Sequence, residues 1–167
     1  MSDLYTELLV KKKKTPKDSL IKYGLIVLTV LFALAGLLIH PYLWAGLIVF
    51  AILDYFIIPK TNLEYEYLFV NGEMDIDVIM SQSKRKRVFS FQVSDIDLMA
   101  PVNSHRMDYY NNNQKMKVYD FSSGYEDHKC FAAIMRHDND TCRVLLEPDD
   151  TLAQGMRNYA PSKIYLD

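Results

Sequence analysis

Within residues 61–167 the one concentration of charge is Lys84-Arg85-Lys86-Arg87, four consecutive cations. Cations grouped in this way suit an anionic ligand: lipid headgroups, a phosphorylated group or an acidic protein segment. The same run also fits a solvated turn that keeps a hairpin soluble. A second basic run, Lys11, Lys12, Lys13 and Lys14, lies near the N-terminus. It suits an anionic membrane surface, where each lysine contributes roughly 1 kcal/mol. His105, His128 and His137, with Cys130 and Cys142, form a group to be weighed as metal ligands. His128-x-Cys130 lacks the paired spacing of a structural zinc site and no second pair lies nearby, so neither a metal nor another cofactor is expected. Asp138, Asp140, Asp149 and Asp150 fall in turns, where their carboxylates serve the backbone. No glycine-rich phosphate loop, nucleophile elbow or recognisable carboxylate pair occurs. The available chemistry is binding, and the chain is read as non-enzymatic.

These residues are positioned by two unlike halves. From Tyr23 to Leu53 there is no Asp, Glu, Lys or Arg, so charge is confined to the flanks. The apolar run from Tyr23 to Ile58 would make a straight helix of about 54 Å, far beyond a hydrocarbon core of roughly 30 Å. Divided at His40-Pro41, where proline removes a donor and disfavours helix in the residue before it, it gives two spans of roughly 25 Å each. The spacing predicts spans over about 22–39 and 42–58, within a helical hairpin at 16–60, with Tyr42 and Trp44 as interfacial aromatics at the turn. Lys11 to Lys14, Lys17, Lys22 and Lys60 flank the hairpin, and its turn carries no Lys or Arg. The positive-inside bias therefore places both termini in the cytosol, with the chain a multi-pass protein of the cell membrane. A cleaved signal peptide lacks its small-residue site, and a buried soluble helix pair lacks covering surface; a re-entrant hairpin is the closer rival. Asp54, the one acid in the apolar region, is expected to reach the headgroups or pair with a lysine. Ala33, Gly36 and Gly46 are small enough to permit close helix approach.

Residues 1–15 read as a basic segment, either a short amphipathic helix through Leu4, Tyr5, Leu8 and Leu9 or a tail whose lysines enforce topology. Thr15-Pro16 opens the first membrane helix as N-cap and first-turn proline. Beyond Thr61 the pattern changes to short strands: 62–70, 73–80, 88–93, 96–100, 117–121, 130–136 and 142–147. Asn71-Gly72 supplies a tight hairpin turn, Ser81 to Lys86 a polar loop, and 102–115 a polar stretch with some helix. Tyr109-Tyr110 with Asn111 to Asn113 reads as an exposed polar loop. After Pro148, Asp149 or Asp150 caps a helix through Leu152, Met156 and Tyr159. The fold class is thus α+β: a two-span hairpin, then a seven-stranded antiparallel domain over 61–167 with a C-terminal helix. Both cysteines are expected reduced in a cytosolic domain.

That layout resembles the pleckstrin-homology-like domains of bacterial membrane proteins. The residues carrying the resemblance are Tyr65 to Val70, the Asn71-Gly72 turn, Lys84 to Val93, Ser94-Asp95-Ile96 and the helix after Glu147-Pro148. Over nearly its full length the chain is similar to a group of small uncharacterised bacterial membrane proteins. Phosphoinositide-binding members of the superfamily use a basic, open loop between the first two strands. Here that loop is Asn71-Gly72 beside Glu73 and Asp75, so the resemblance implies no headgroup pocket there. The expected function is a membrane-anchored interaction module that recruits or regulates a protein partner at the inner membrane surface. Its partners are the bilayer, a protein and anionic lipid headgroups, and with a net charge of −2 nucleic acid is not among them. The alternatives are an accessory subunit of a transporter or membrane enzyme acting through its spans, and an anionic-lipid sensor.

Overall fold

A computed structural model describes residues 5–111, 116–137 and 140–167. The chain forms two compact units, one of Lys13–Glu64 with Ile79–Arg85, the other of Tyr65–Val78, Lys86–Asp167 and the N-terminal residues up to Lys12.

The helical unit begins with a reciprocal cap. The Thr15 hydroxyl accepts from the Asp18 amide at 3.3 Å, while the Asp18 carboxylate accepts from the Thr15 amide at 3.0 Å. With Pro16 at the first position, these bonds satisfy the orphan donors that open α1, Pro16–Leu38. His40-Pro41 ends α1, a 3₁₀ turn spans Pro41–Leu43, and α2 runs over Trp44–Ile57 into a second 3₁₀ turn, Ile58–Thr61. Both arms are long and apolar enough to cross a membrane. Their large side chains face outward, Leu38 78% and Ile48 61% exposed, which in water would be a large unfavourable apolar surface. Between the helices Gly36 lies under the Trp44 indole and Gly46 against the Phe32 ring, so the small residues serve close packing inside the hairpin. Phe32 stacks on Phe50 with centroids 5.0 Å apart. Among the described residues Asp54 meets no lysine: its Oδ2 accepts from the Thr29 hydroxyl at 2.6 Å. The expected lysine partner is thus replaced by the one hydroxyl that faces Asp54 across the hairpin.

The second unit is built of strands. Tyr5–Lys11 forms β1, where a helix or a tail was expected. Its apolar residues fit both periods, and a helix of so few residues cannot offset its own nucleation cost. As a strand it points Leu8 and Val10 into the core and leaves Tyr5, Glu7, Leu9 and Lys11 exposed. β2 (Leu63–Val70), β3 (Glu73–Met80) and β4 (Lys84–Gln92) complete a sheet of order β1-β2-β3-β4. Asn71 (φ 49°) and Gly72 (φ 92°) adopt the left-handed turn that the sequence called for. β5 (Ile96–Pro101), β6 (Lys117–Asp120), β7 (Phe131–His137) and β8 (Asp140–Leu146) form a second sheet of order β5-β7-β8-β6. Between β5 and β6 lies a short helix α3, Asp108–Asn111.

Two corrections to the expectation of seven antiparallel strands follow, one to the strand count and one to the pairing. β1 adds a strand from the far side of the helical hairpin, and β6 pairs with β8 in parallel, Lys117 opposite Cys142. Tyr67, Phe69, Ile76, Met99, Met135 and Leu146 fill the core. α4, Asp150–Tyr159, closes it with Leu152 and Met156, its N-cap Asp149 accepting from the Leu152 amide at 2.8 Å. Beyond α4 the chain covers one edge of β5, the Met99 amide bonding to the Lys163 carbonyl at 2.9 Å.

Candidate functional site

The basic run begins β4 instead of lying in a loop. The loop shrinks to a turn in which Ser81 (φ 47°) and Gln82 (φ 55°) take left-handed conformations. A strand sends successive side chains to opposite faces, so four adjacent cations cannot act as one patch. Lys84 lies over the Tyr55 ring at 4.2 Å and donates to its hydroxyl at 3.1 Å. Arg87 pairs with Asp75 at 2.7 Å and Asp77 at 3.5 Å, two carboxylates largely removed from solvent. Arg87 is therefore committed to holding β3 against β4. Arg85 and Lys86 are exposed.

The N-terminal lysines also divide. Lys11 closes β1, and Lys12 reaches the Tyr65 hydroxyl at 3.5 Å. Lys14 instead lines a cavity of about 70 Å³ with residues from both ends of the helical hairpin.

The residues considered for a metal have other roles. His128 contacts Ser123 and Glu147, and neither Cys130 nor Cys142 is in a disulfide among the described residues. Burial pushes the Cys130 thiol up to about 11, with the Glu147 carboxylate adding to the rise, so it stays protonated at neutral pH. Among the described residues no His, Cys, Asp and Glu group has metal-binding geometry. Asp138, Asn112 and Asn113 lie outside the described residues, while Asp140 pairs with Lys117 at 2.9 Å. Tyr109, expected in a polar loop, lies in α3 and is 82% exposed.

Ser123, His128 and Glu147 form a cluster that the sequence did not disclose. Glu147 Oε1 accepts from the Ser123 amide and hydroxyl, both at 3.0 Å, and its Oε2 lies 3.1 Å from His128 Nδ1. The Ser123 hydroxyl also lies 3.1 Å from that same Nδ1. A nucleophilic relay needs the two imidazole nitrogens on different partners, one on the acid and one on the hydroxyl. Here both partners share Nδ1, and the carboxylate takes the serine hydroxyl directly, so the serine is not activated. The cluster is a clasp that ties the 121–129 loop to the end of β8. Tyr67 supports it from beneath, donating to the Phe121 carbonyl at 2.7 Å and accepting from the Glu147 amide at 3.3 Å. Burial pushes the Tyr67 phenol far above its ordinary value, so it remains a donor at any physiological pH.

The clasp forms one wall of an open groove of about 610 Å³, and Leu8 to Lys11 of β1 form the other. Tyr125, His128 and Pro148 line it further. β1 is the end strand of its sheet, and its outward Leu9 is 45% exposed. The site thus combines an edge strand with an apolar groove, equipment for binding an extended chain.

No curated protein and no solved structure matches the sequence. A family model described as a bacterial PH-like domain matches residues 2–166, taking in β1, the helical hairpin and both sheets. This chain belongs to that bacterial PH-like domain family, DUF6106.

Proposed function

We propose that the protein is a membrane-anchored, non-enzymatic interaction module whose β domain recruits or regulates a protein partner at the inner membrane surface. The observation that carries the reading is the place of the hairpin between β1 and β2. These strands are neighbours in one sheet, so the chain enters and leaves the hairpin on the same side of any membrane it crosses. That requirement is independent of the lysine count, which supplies the sidedness: both ends cytosolic. The outward apolar side chains of α1 and α2 supply the reason to insert. A domain begun on one side of the hairpin and finished on the other is held within a few residues of the bilayer.

The groove beside β1 is the surface best suited to a partner, with strand addition to β1 supplying backbone hydrogen bonds and Leu9 an apolar contact. Action through the spans is less well supported, because Gly36 and Gly46 already pack against the hairpin's own Trp44 and Phe32. The test is in-membrane crosslinking of the intact protein with mass spectrometry, beside Leu9→Arg and Lys86→Glu variants. Loss of a specific partner from Leu9→Arg supports the groove. Loss from Lys86→Glu alone moves the contact to the basic strand, and no partner from the unaltered protein removes the interaction reading.

A further inference from the structure

We propose that the cytosolic mouth of the helical hairpin carries a binding site for one phosphate group, supplied by an anionic phospholipid headgroup or by free phosphate. The site is the cavity of about 70 Å³ lined by Lys14, Ser19, Lys22, Tyr23, Thr61 and Asn62. It brings the opening turns of α1 together with the residues that follow α2. By the space a water needs, it has room for about five water-sized groups, which suits a phosphorus with its oxygens.

Charge selects the ligand. Lys14 and Lys22 both line the cavity, and among the described residues neither has a carboxylate partner. Lys22 is half-buried and is the last charged residue before the apolar run, so its ammonium lies at the apolar boundary. Asp18 also borders the space, but its Oδ2 accepts from the Thr15 amide at 3.0 Å and hydroxyl at 2.7 Å, holding the helix cap. Two lysines against one acid leave the cavity positive. The hydroxyls of Ser19 and Tyr23 and the carboxamide of Asn62 are polar groups that a phosphate accepts bonds from, while the Thr61 hydroxyl donates to the Ile58 carbonyl at 2.8 Å. This site is distinct from the Lys84 to Arg87 run and from the short turn between β2 and β3. It rests on the reading of the hairpin as membrane-inserted only in naming a lipid as one source of the phosphate.

The experiment titrates delipidated full-length protein in detergent, followed by native mass spectrometry, with phosphatidylglycerol, phosphatidylcholine or inorganic phosphate. The expected result is one phosphatidylglycerol per chain, held about 30-fold less tightly by the Lys14→Gln/Lys22→Gln variant. Lys17→Gln, which removes a nearby exposed lysine outside the cavity, should leave binding unchanged. Inorganic phosphate bound with the same lysine dependence, in place of phosphatidylglycerol, assigns the free ion as the source. Equal binding of phosphatidylcholine, an equal loss in Lys17→Gln, or no binding of any probe overturns the site. Carbonate extraction of the same variants separates this outcome from the anchor: a chain that stays in the membrane yet binds no phosphate group loses the site alone.

Discussion

Replacing Tyr67 with Phe should destabilise the β domain by about 2–3 kcal/mol while removing one oxygen atom. Tyr67 is fully buried, and the substitution keeps the ring, so no cavity of consequence opens. What is lost is a donor to the Phe121 carbonyl at 2.7 Å and an acceptor for the Glu147 amide at 3.3 Å. A buried backbone group left without a partner costs about 1–3 kcal/mol, and the longer bond belongs at the low end. For a domain of this size the sum corresponds to a fall of roughly 6–15 °C in melting temperature. The assay is thermal unfolding of the full chain in detergent micelles, followed by near-ultraviolet circular dichroism. Tyr159→Phe is the matched control: its ring packs edge-on against Phe69 at 5.6 Å, and it is 47% exposed. Removing its hydroxyl should change stability by less than about 0.5 kcal/mol. A Tyr67→Phe protein melting within about 2 °C of the unaltered chain would refute the bridging role, and with it the view that Tyr67 secures the clasp.

Three other outcomes are expected. Gly46→Ala should push a methyl group against Phe32 and weaken the hairpin by about 1–3 kcal/mol, read as faster proteolysis of the helices in detergent. Thr29→Val should cost about 0.6–1.7 kcal/mol by removing the bond to Asp54, with Asp54→Asn preserving most of it; denaturant titration in mixed micelles measures both. Alkylation of Cys130 should titrate near 11, where an ordinary thiol titrates near 9, making it about 100-fold slower at pH 8 than a free thiol. The sign follows from burial: the folded chain keeps the proton that the unfolded chain releases, so rising pH between these values favours unfolding. A rate like that of free cysteine would show that the thiol is not shielded.

Much of the architecture was legible because its signals are local. The break at His40-Pro41, the Asn71-Gly72 turn and the Asp149 cap each need only neighbouring residues to act, and each is found in place. β1 was misread because its seven residues satisfy helical and strand spacing alike, and the deciding partner, β2, lies beyond the helical hairpin. The parallel pairing of β6 with β8 has no local signature at all. The basic run was read as a loop because charge masked its strand character, which resumes visibly at Phe89 and Phe91. The Ser123–His128–Glu147 clasp joins residues up to 24 positions apart, and no spacing rule discloses it. Thr29 was open to inference: it is the only hydroxyl-bearing side chain between Tyr23 and Tyr42, and so the natural partner for Asp54.

The central claim is that the hairpin crosses the membrane twice between two paired strands of one sheet. Sided cysteine labelling in sealed vesicles tests it most directly, using Cys130→Ser/Cys142→Ser protein with single cysteines introduced by Tyr5→Cys, Tyr42→Cys or Tyr109→Cys. All three positions are well exposed, so accessibility to a membrane-impermeant maleimide reports only the side. The account predicts that Tyr5→Cys and Tyr109→Cys label from the cytosolic side and Tyr42→Cys from the opposite side. Labelling of all three from one side would contradict the crossing, and labelling of Tyr5→Cys and Tyr109→Cys from opposite sides would contradict the shared sheet.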